Sequence, residues 1–244
     1  MLAVCRNFLS FNDLSWTMWL KKLLVLWLLW FCLWHLSVLL RIVSYIWYDP
    51  SSTSFMDEQL AMLQLENSSV KKQQKWVPYA SVSKSLKRAL IAAEDAKFLD
   101  HDGFDWDGIE TAWEKNLAKG KIVAGGSTIS QQLAKNLFLS ASKTPWRKLD
   151  EALITVMLET VLDKQRIYEI YLNVIEWGGG IYGAEAAAQN YFGISAKRLS
   201  ASQSAYLAAM VTNPRYYQTH RRSAHLLHKS AVILKRMRQS DIPD

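Results

Sequence analysis

From Leu23 to Leu40 the chain carries no formally charged residue and consists of Leu, Val, Trp, Phe, Cys, Ser and His. No other feature narrows the possible folds as much. With its flanks this run can cross the roughly 30 Å of bilayer hydrocarbon, which takes about 20 helical residues. Trp16 and Trp19 flank one end, and Tyr45, Trp47 and Tyr48 flank the other. Aromatic rings favour both membrane interfaces. A cleaved signal peptide is the competing reading, disfavoured because bulky residues from Ile42 to Trp47 follow and supply no small-x-small cleavage site. A buried core helix is the remaining alternative. His35 reads as a tolerated polar residue, since no partner is visible for it in the helix. Arg6, Lys21 and Lys22 precede the run and Arg41 follows it, so the positive-inside rule favours a cytoplasmic N-terminus and an external remainder. Met18 stands directly before Trp19 to Lys22, so the residues ahead of it could be an over-extended start.

The chain is long enough for one domain of ordinary size plus extras. Half of its residues are apolar and eleven are Trp, so a sizeable core can form. The net charge is +7, with clusters at Lys71-Lys72, Arg147-Lys148 and Arg221-Arg222. Such a balance suits an anionic partner: nucleic acid, lipid headgroup or phosphorylated substrate. A solvated basic face explains any single cluster equally well. The two cysteines, Cys5 and Cys32, lie before and inside the apolar run. A disulfide framework and a Cys-based zinc site are thereby excluded, while an oxidising compartment stays open.

The expected organisation is a short N-terminal segment over 1–20, a membrane anchor over 21–48, a polar stalk over 49–80 and a folded domain over 81–244. Asp49-Pro50 followed by Ser and Thr reads as the break after the anchor. Beyond Ser81 helical periodicity dominates. The predicted apolar stripes are Leu86, Leu90 and Ala93; Ile129, Leu133 and Leu137; Leu149, Leu153 and Met157; Ile167, Tyr171 and Val174; and, in the last helix, Ala231, Leu234 and Met237. Ser200 to Gln203 has the pattern of a capping box. No strand alternation is convincing, and the class is mainly α.

Two carboxylates stand out. Glu94 lies in the C-terminal part of a predicted helix, and its preceding residues, Ala89 to Ala93, are apolar, which favours burial and a raised pKa. A carboxylate so placed can move protons on and off hydroxyls. Asp95 and His101 could cap or orient the segment. Glu151 lies four residues after Arg147, a spacing equally well explained by an intrahelical ion pair. Between the two carboxylates, Gly125-Gly126-Ser127-Thr128 permits a turn into a helix N-terminus, where free N–H groups attract anions. Gln131 and Lys135 share a face of that helix. Asp100 to Asp107 fails the calcium-loop template, which needs Gly at the sixth place and Glu at the twelfth, where Asp105 and Thr111 stand. Ser140-x-x-Lys143 matches a transpeptidase motif by chance, since Lys-Thr-Gly is absent.

Four motifs together resemble the family-51 peptidoglycan glycosyltransferases. Glu94-Asp-x-x-Phe98-x-x-His101-x-Gly103 is similar to the first. Gly125-Gly-Ser-Thr-Ile-Ser-Gln-Gln-Leu-Ala-Lys-Asn136 is similar to the second and Arg147-Lys-x-x-Glu151 to the third. The segment Tyr171 to Ala188, running on to Tyr191-Phe192-Gly193, is similar to the fourth. The resemblance spans roughly Ser81 to Met237. Asn173-Val-Ile-Glu176-Trp-Gly178 is similar to the monofunctional branch of the family, and the residues after Phe192 are too few for a transpeptidase domain. The resemblance implies an α-rich, lysozyme-like, two-lobed glycosyltransferase domain behind one N-terminal transmembrane helix. It implies an enzyme that joins lipid II units into β-1,4 glycan strands and releases undecaprenyl pyrophosphate. Glu94 would be the general base on the acceptor 4-hydroxyl. Glu151, with Lys135, Arg147 and Lys148, would serve the donor pyrophosphate, and Ser127, Thr128, Gln131 and Gln132 would line the same groove. Lys143 stands where many relatives carry Arg, keeping the charge without the bidentate geometry.

The implied partners are lipid II, the growing glycan strand, membrane lipids and proteins of cell-wall synthesis or division, with no nucleic acid. The implied location is the inner (plasma) membrane, with the catalytic domain on the periplasmic or external side. No protein metal site is expected and no cofactor is required, with a divalent cation such as Mg2+ left open. Phe104, Trp106, Ile109 and Trp113 would form a membrane-dipping segment, or else an ordinary amphipathic helix packed on the core. A lytic transglycosylase would share the lysozyme-like class but would not need the cations around Glu151 or the membrane helix. A nucleic-acid-binding or scaffold protein could use the basic charge alone, and would leave the carboxylates and the glycine turn unexplained.

Overall fold

In the computed structural model the described residues are 2–121, 125–142 and 144–244, with side chains described from Trp16 onward. The chain divides into two compact units, 1–41 and 42–244. The first unit is a single helix, α1 (Leu2–Ser44), whose last three residues belong to the second unit. Its span Trp16–Ser44 has a mean hydropathy of 2.3 in its most apolar window. Leu23, Leu26, Trp30, Leu33, Leu36 and Leu40 are all exposed. Exposed apolar side chains along one long helix do not make the core helix of a soluble domain, and they fit a single-pass membrane anchor. Within α1 the His35 ring lies 4.1 Å from that of Phe31 and its Nδ1 is 2.9 Å from the Phe31 carbonyl oxygen, a local contact for that nitrogen.

The second unit is mostly helical. Its elements run α2 (Ser54–Glu66), β1 (Gln73–Gln74), α3 (Lys84–Glu94), α4 (Trp106–Lys119), α5 (Ile129–Phe138), α6 (Pro145–Val161), α7 (Lys164–Val174), β2 (Glu176–Gly178), β3 (Ile181–Tyr182), α8 (Ala184–Phe192), α9 (Ala201–Met210), α10 (Pro214–Thr219) and α11 (Ala224–Arg236). Side-chain caps start most of the helices. Thr53, Ser83, Thr144, Asp163 and Ser223 each accept a hydrogen bond from a first-turn N–H, satisfying a donor that the helix itself cannot. Ser200 and Gln203 form the expected capping box at α9. The core gathers α3, α5, α7 and α9: Leu86, Leu90, Ile129, Leu133, Leu137, Ile167, Tyr171 and Val174 are fully buried.

The segment 49–80, expected to be a polar stalk, is part of this folded unit. Met56 in α2 is fully buried. Ser54 donates to the Leu137 carbonyl at 3.1 Å, and the Ala141 N–H donates to Glu58 at 2.8 Å, so α2 lies along α5. Further on, β1 pairs in parallel with β3, and β3 pairs antiparallel with β2. Asn173 locks this junction: its side chain accepts from Val77 N–H at 2.9 Å and donates to Val77 C=O at 3.0 Å. Gly183, at φ 82°, passes so close to the Asn173 carbonyl that a Cβ there would lie 2.6 Å from its oxygen. Ser54, Glu58 and Gln74 are thus engaged in tertiary hydrogen bonds, which composition cannot distinguish from hydration. Met56→Ala should lower stability by about 2–5 kcal/mol, the usual cost of emptying a core site of that size. Chemical denaturation measures it; a change near zero would restore the stalk.

Two predicted stripes are out of phase. In α6 the buried residues are Glu151, Ile154, Thr155 and Leu158, while Leu149 is 50% exposed. In α11 they are Leu226 and Ile233, with Ala231 exposed and Leu234 intermediate; Met237 of the predicted stripe is buried, just past the helix end. In both helices a charged residue occupies the inward face, which a phase chosen on apolar residues alone turns outward.

Candidate active site

Glu94 is the last residue of α3. Its Oε2 accepts a hydrogen bond from Gln132 Nε2 at 3.1 Å, and Gln132 Oε1 accepts one from the Tyr171 hydroxyl at 3.0 Å. Tyr171, fully buried, holds Gln132, and Gln132 holds the carboxylate. The other oxygen, Oε1, is buried with no hydrogen-bond partner among the described residues. Burial pushes the Glu94 pKa above the ordinary carboxylate value, opposed by Lys229, by the Gln132 hydrogen bond and by Lys135. The carboxyl faces a cleft of ≈ 440 Å³, which is also lined by Lys97, Asp107, Ser127, Thr128 and Arg236.

The next residue, Asp95, ties the loop after α3 to the start of α5. One oxygen lies 3.1 Å from His101 Nε2, and the other accepts the Ile129 N–H at 2.9 Å. His101 Nδ1 in turn accepts the Gly103 N–H at 3.1 Å. Gly103, at φ 92°, leaves no room for a side chain: a Cβ would meet Thr155 at 2.7 Å and Glu159 at 3.1 Å. The expectation of an open helix N-terminus for a substrate anion is therefore corrected. At α5 the protein's own Asp95 carboxylate takes the first N–H, and Thr128 with Gln131 closes a capping box. Thr128 also donates to the Gly103 carbonyl at 2.7 Å. Thr128 and Gln131 are buried and brace the turn; the Gln131 side chain is spent on the Thr128 N–H at 3.0 Å.

The second carboxylate sits inside a cluster of cations. Glu151 is buried on α6 and accepts from Arg147 Nη1 at 2.7 Å and from Lys148 Nζ on its other oxygen. The intrahelical ion pair does form, and it forms twice. Lys148 also donates to Ser127 at 3.3 Å, linking α6 to the glycine turn. Lys135, on the facing helix α5, is largely buried, and desolvation lowers its pKa. Glu151 and, more weakly, Glu94 act in the opposite direction, while Arg147 and Lys148 reinforce the lowering. Lys135 thus senses both carboxylates. Arg147 Nε is buried with no partner among the described residues. One acceptor and one donor, Glu94 Oε1 and Arg147 Nε, are therefore left open in this region, in a chain whose other buried polar atoms are mostly satisfied. Lys143 lies outside the described residues.

Sequence reasoning named Gln132 but not the Tyr171 link behind it, and it missed Lys229 and Arg236 on α11. Among the described residues no three His, Cys, Asp or Glu side chains are grouped to hold a metal ion.

A family model described as Transglycosylase matches residues 59–238. A biosynthetic peptidoglycan transglycosylase of Chromobacterium violaceum is 64% identical over 213 residues, covering 87% of this chain and 93% of the relative. One of Laribacter hongkongensis is 61% identical over 213 residues, with the same coverage of 87% and 93%. One of Methylobacillus flagellatus is 56% identical over 211 residues, or 86% and 92%. The chain belongs to the transglycosylase family.

Proposed function

We propose that this protein polymerises lipid II into the β-1,4 glycan strands of peptidoglycan and releases undecaprenyl pyrophosphate. The observation that carries the reading is the pairing of an open, buried carboxylate oxygen on Glu94 with the cation cluster of Lys135, Arg147 and Lys148 around Glu151. The acceptor's 4-hydroxyl donates to Glu94 Oε1, which takes its proton as the oxygen attacks C1 of the donor sugar. The C1–O bond to the pyrophosphate breaks, and that oxygen keeps the bonding electrons. Lys135 and Arg147 meet the charge that develops there. Glu151 holds Arg147 and Lys148 in place, and Ser127 anchors Lys148. Gln132 orients the base, while Thr128 and Gln131 shape the turn from beneath. No step here is routed through a divalent cation such as Mg2+.

The membrane helix holds the enzyme at the inner membrane with the second unit outside, where lipid-linked substrate lies. Trp106 is 71% and Trp113 66% exposed on α4, and Phe104 stacks on Trp106 with centroids 5.6 Å apart. They form an apolar edge suited to the interfacial region. Proteins of cell-wall synthesis or division would be its partners there. A glycan-cutting enzyme would leave the cation cluster without a task. Incubation with lipid-linked disaccharide decides between the two: strands that lengthen support polymerisation, and pre-formed strands that shorten overturn it.

Truncation tests the anchor. Ile42 and Tyr45 are buried in the second unit, and Arg166 donates to the carbonyls of Tyr45 and Tyr48 at 2.7 and 2.9 Å. The deletion should therefore stop at residue 41, not at 48. The remaining chain should fold and polymerise detergent-solubilised substrate. On substrate in vesicles it should lose on the order of 10²-fold in efficiency, because anchoring confines enzyme and substrate to one thin layer. Residual flotation with liposomes should fall when Phe104, Trp106 and Trp113 are made polar. A truncated protein that never floats would remove the membrane edge on α4.

A further inference from the structure

Helix α11 packs against α3 and α9. Its inward face is marked by Leu226, Ile233 and, just beyond its end, Met237, all buried. Lys229 follows Leu226 by three positions and precedes Ile233 by four, so it projects from the same face. It is partly withdrawn from solvent and makes no hydrogen bond or ion pair with any described residue. A lysine at an inward position without a partner is costly unless a charge nearby repays the desolvation.

That charge is at the end of α3. Glu94 has one oxygen without a partner and the other on a neutral amide, so no cation touches it directly. The charged groups that act on it come from three elements. Lys229 on α11 is the strongest cation, Lys135 on α5 is weaker, and Asp95 beside it opposes both. From α7, the buried Tyr171 hydroxyl stays protonated, because burial raises its pKa well above the ordinary value. At the cleft's rim stand Lys97, which is tied to Asp107 at 2.7 Å, Lys115 and Arg236.

We propose that Lys229 is the counter-ion of the Glu94 carboxylate, delivered by the C-terminal helix to a base that its own helix leaves without a charged partner. Lys229 acts through Glu94 and is a positioning residue. This assignment rests on Glu94 being the base, and the two ideas fail in different experiments. Lys135 answers to Glu151 before Glu94, whereas among the described residues Glu94 is the charge that acts on Lys229. The arrangement therefore separates two duties: α5 and α6 supply charge for the leaving group, and α11 supplies charge for the base.

The test uses the full chain in detergent with three forms: wild type, Lys229→Met and Lys229→Arg. Removing the cation should move the acidic limb of the polymerisation rate to higher pH. At neutral pH Lys229→Met should lose about tenfold or more, the scale of one nearby opposite charge, and recover as the pH rises. Lys229→Arg should keep the wild-type profile. In parallel, carbon-13 titration of the Glu94 carboxyl, assigned with Glu94→Gln, reads the pairing without reference to catalysis. A Glu94 titration that is the same in Lys229→Met and wild type overturns the proposal. A titration that moves while the pH–rate profile stays fixed upholds the pairing and removes Glu94 as the base.

Discussion

Glu94→Gln should abolish nearly all polymerisation, by about 10²–10⁴-fold, with the fold intact. The amide keeps the shape and the contact with Gln132 but cannot accept the acceptor's proton. The pH dependence has a definite sign. The base must be ionised and burial raises its pKa, so wild-type activity should fall as the pH drops through that raised value. Stability runs the other way. A carboxyl whose folded pKa is raised contributes stability at low pH and loses it as the pH rises through the folded value. Glu94→Gln carries no such loss, so at neutral pH and above it should melt at a higher temperature than wild type. Paired activity and melting curves across pH check both effects. Near-normal activity in a folded Glu94→Gln protein would end the assignment, and an unchanged melting temperature would mean that the carboxylate is better solvated than its buried Oε1 implies.

Lys135→Ala should lower turnover on the order of 10²-fold or more, by analogy with losing one donor to a developing anion. The scaffold around it should survive. Glu151 keeps Arg147 and Lys148 as partners, and α5 keeps its capping box and its buried stripe. Truncating a partly desolvated lysine also removes a destabilising burial, so the variant should be no less stable than wild type. Binding of a pyrophosphate-bearing lipid analogue should weaken together with turnover. Arg147→Ala is expected to be harder to interpret, since it strips Glu151 of a partner and weakens the site partly through structure. If Lys135→Ala binds and turns over like wild type, the pyrophosphate lies elsewhere.

The parts of this molecule that sequence reasoning reached are those governed by local rules. The membrane helix follows from an uncharged run, and the Ser200–Gln203 cap follows from a four-residue pattern. The α5 stripe and the place of Glu94 in the C-terminal part of α3 follow from apolar spacing. The failures have a common cause in tertiary structure. Strands β1 and β3 pair residues more than a hundred positions apart, and each is too short to show alternation. Helices α6 and α11 turn Glu151 and Lys229 inward, which inverts the usual assumption that charge marks the solvent side. The family resemblance implies a groove residue at Gln131, yet its amide oxygen is spent on the cap. Function and phase error coincide here: a charge on an inward face was the sign of the site, and periodicity discarded it.

The joint between β1 and β3 also bears on how the chain is made. A polypeptide that leaves a membrane from an N-terminal anchor presents Gln73, Gln74 and Val77 long before Asn173, Ile181 and Tyr182 emerge. Until then the β1 edge has no strand to pair with, and contacts of such sequence separation form slowly. The β1 stretch therefore waits for its partner through the emergence of about a hundred residues, although it is among the first to appear. During export it is the stretch most open to proteases and to holding chaperones. Variants at Asn173 or Gly183 should show their defect first as lost yield of intact protein, before any change in the rate of the enzyme that survives.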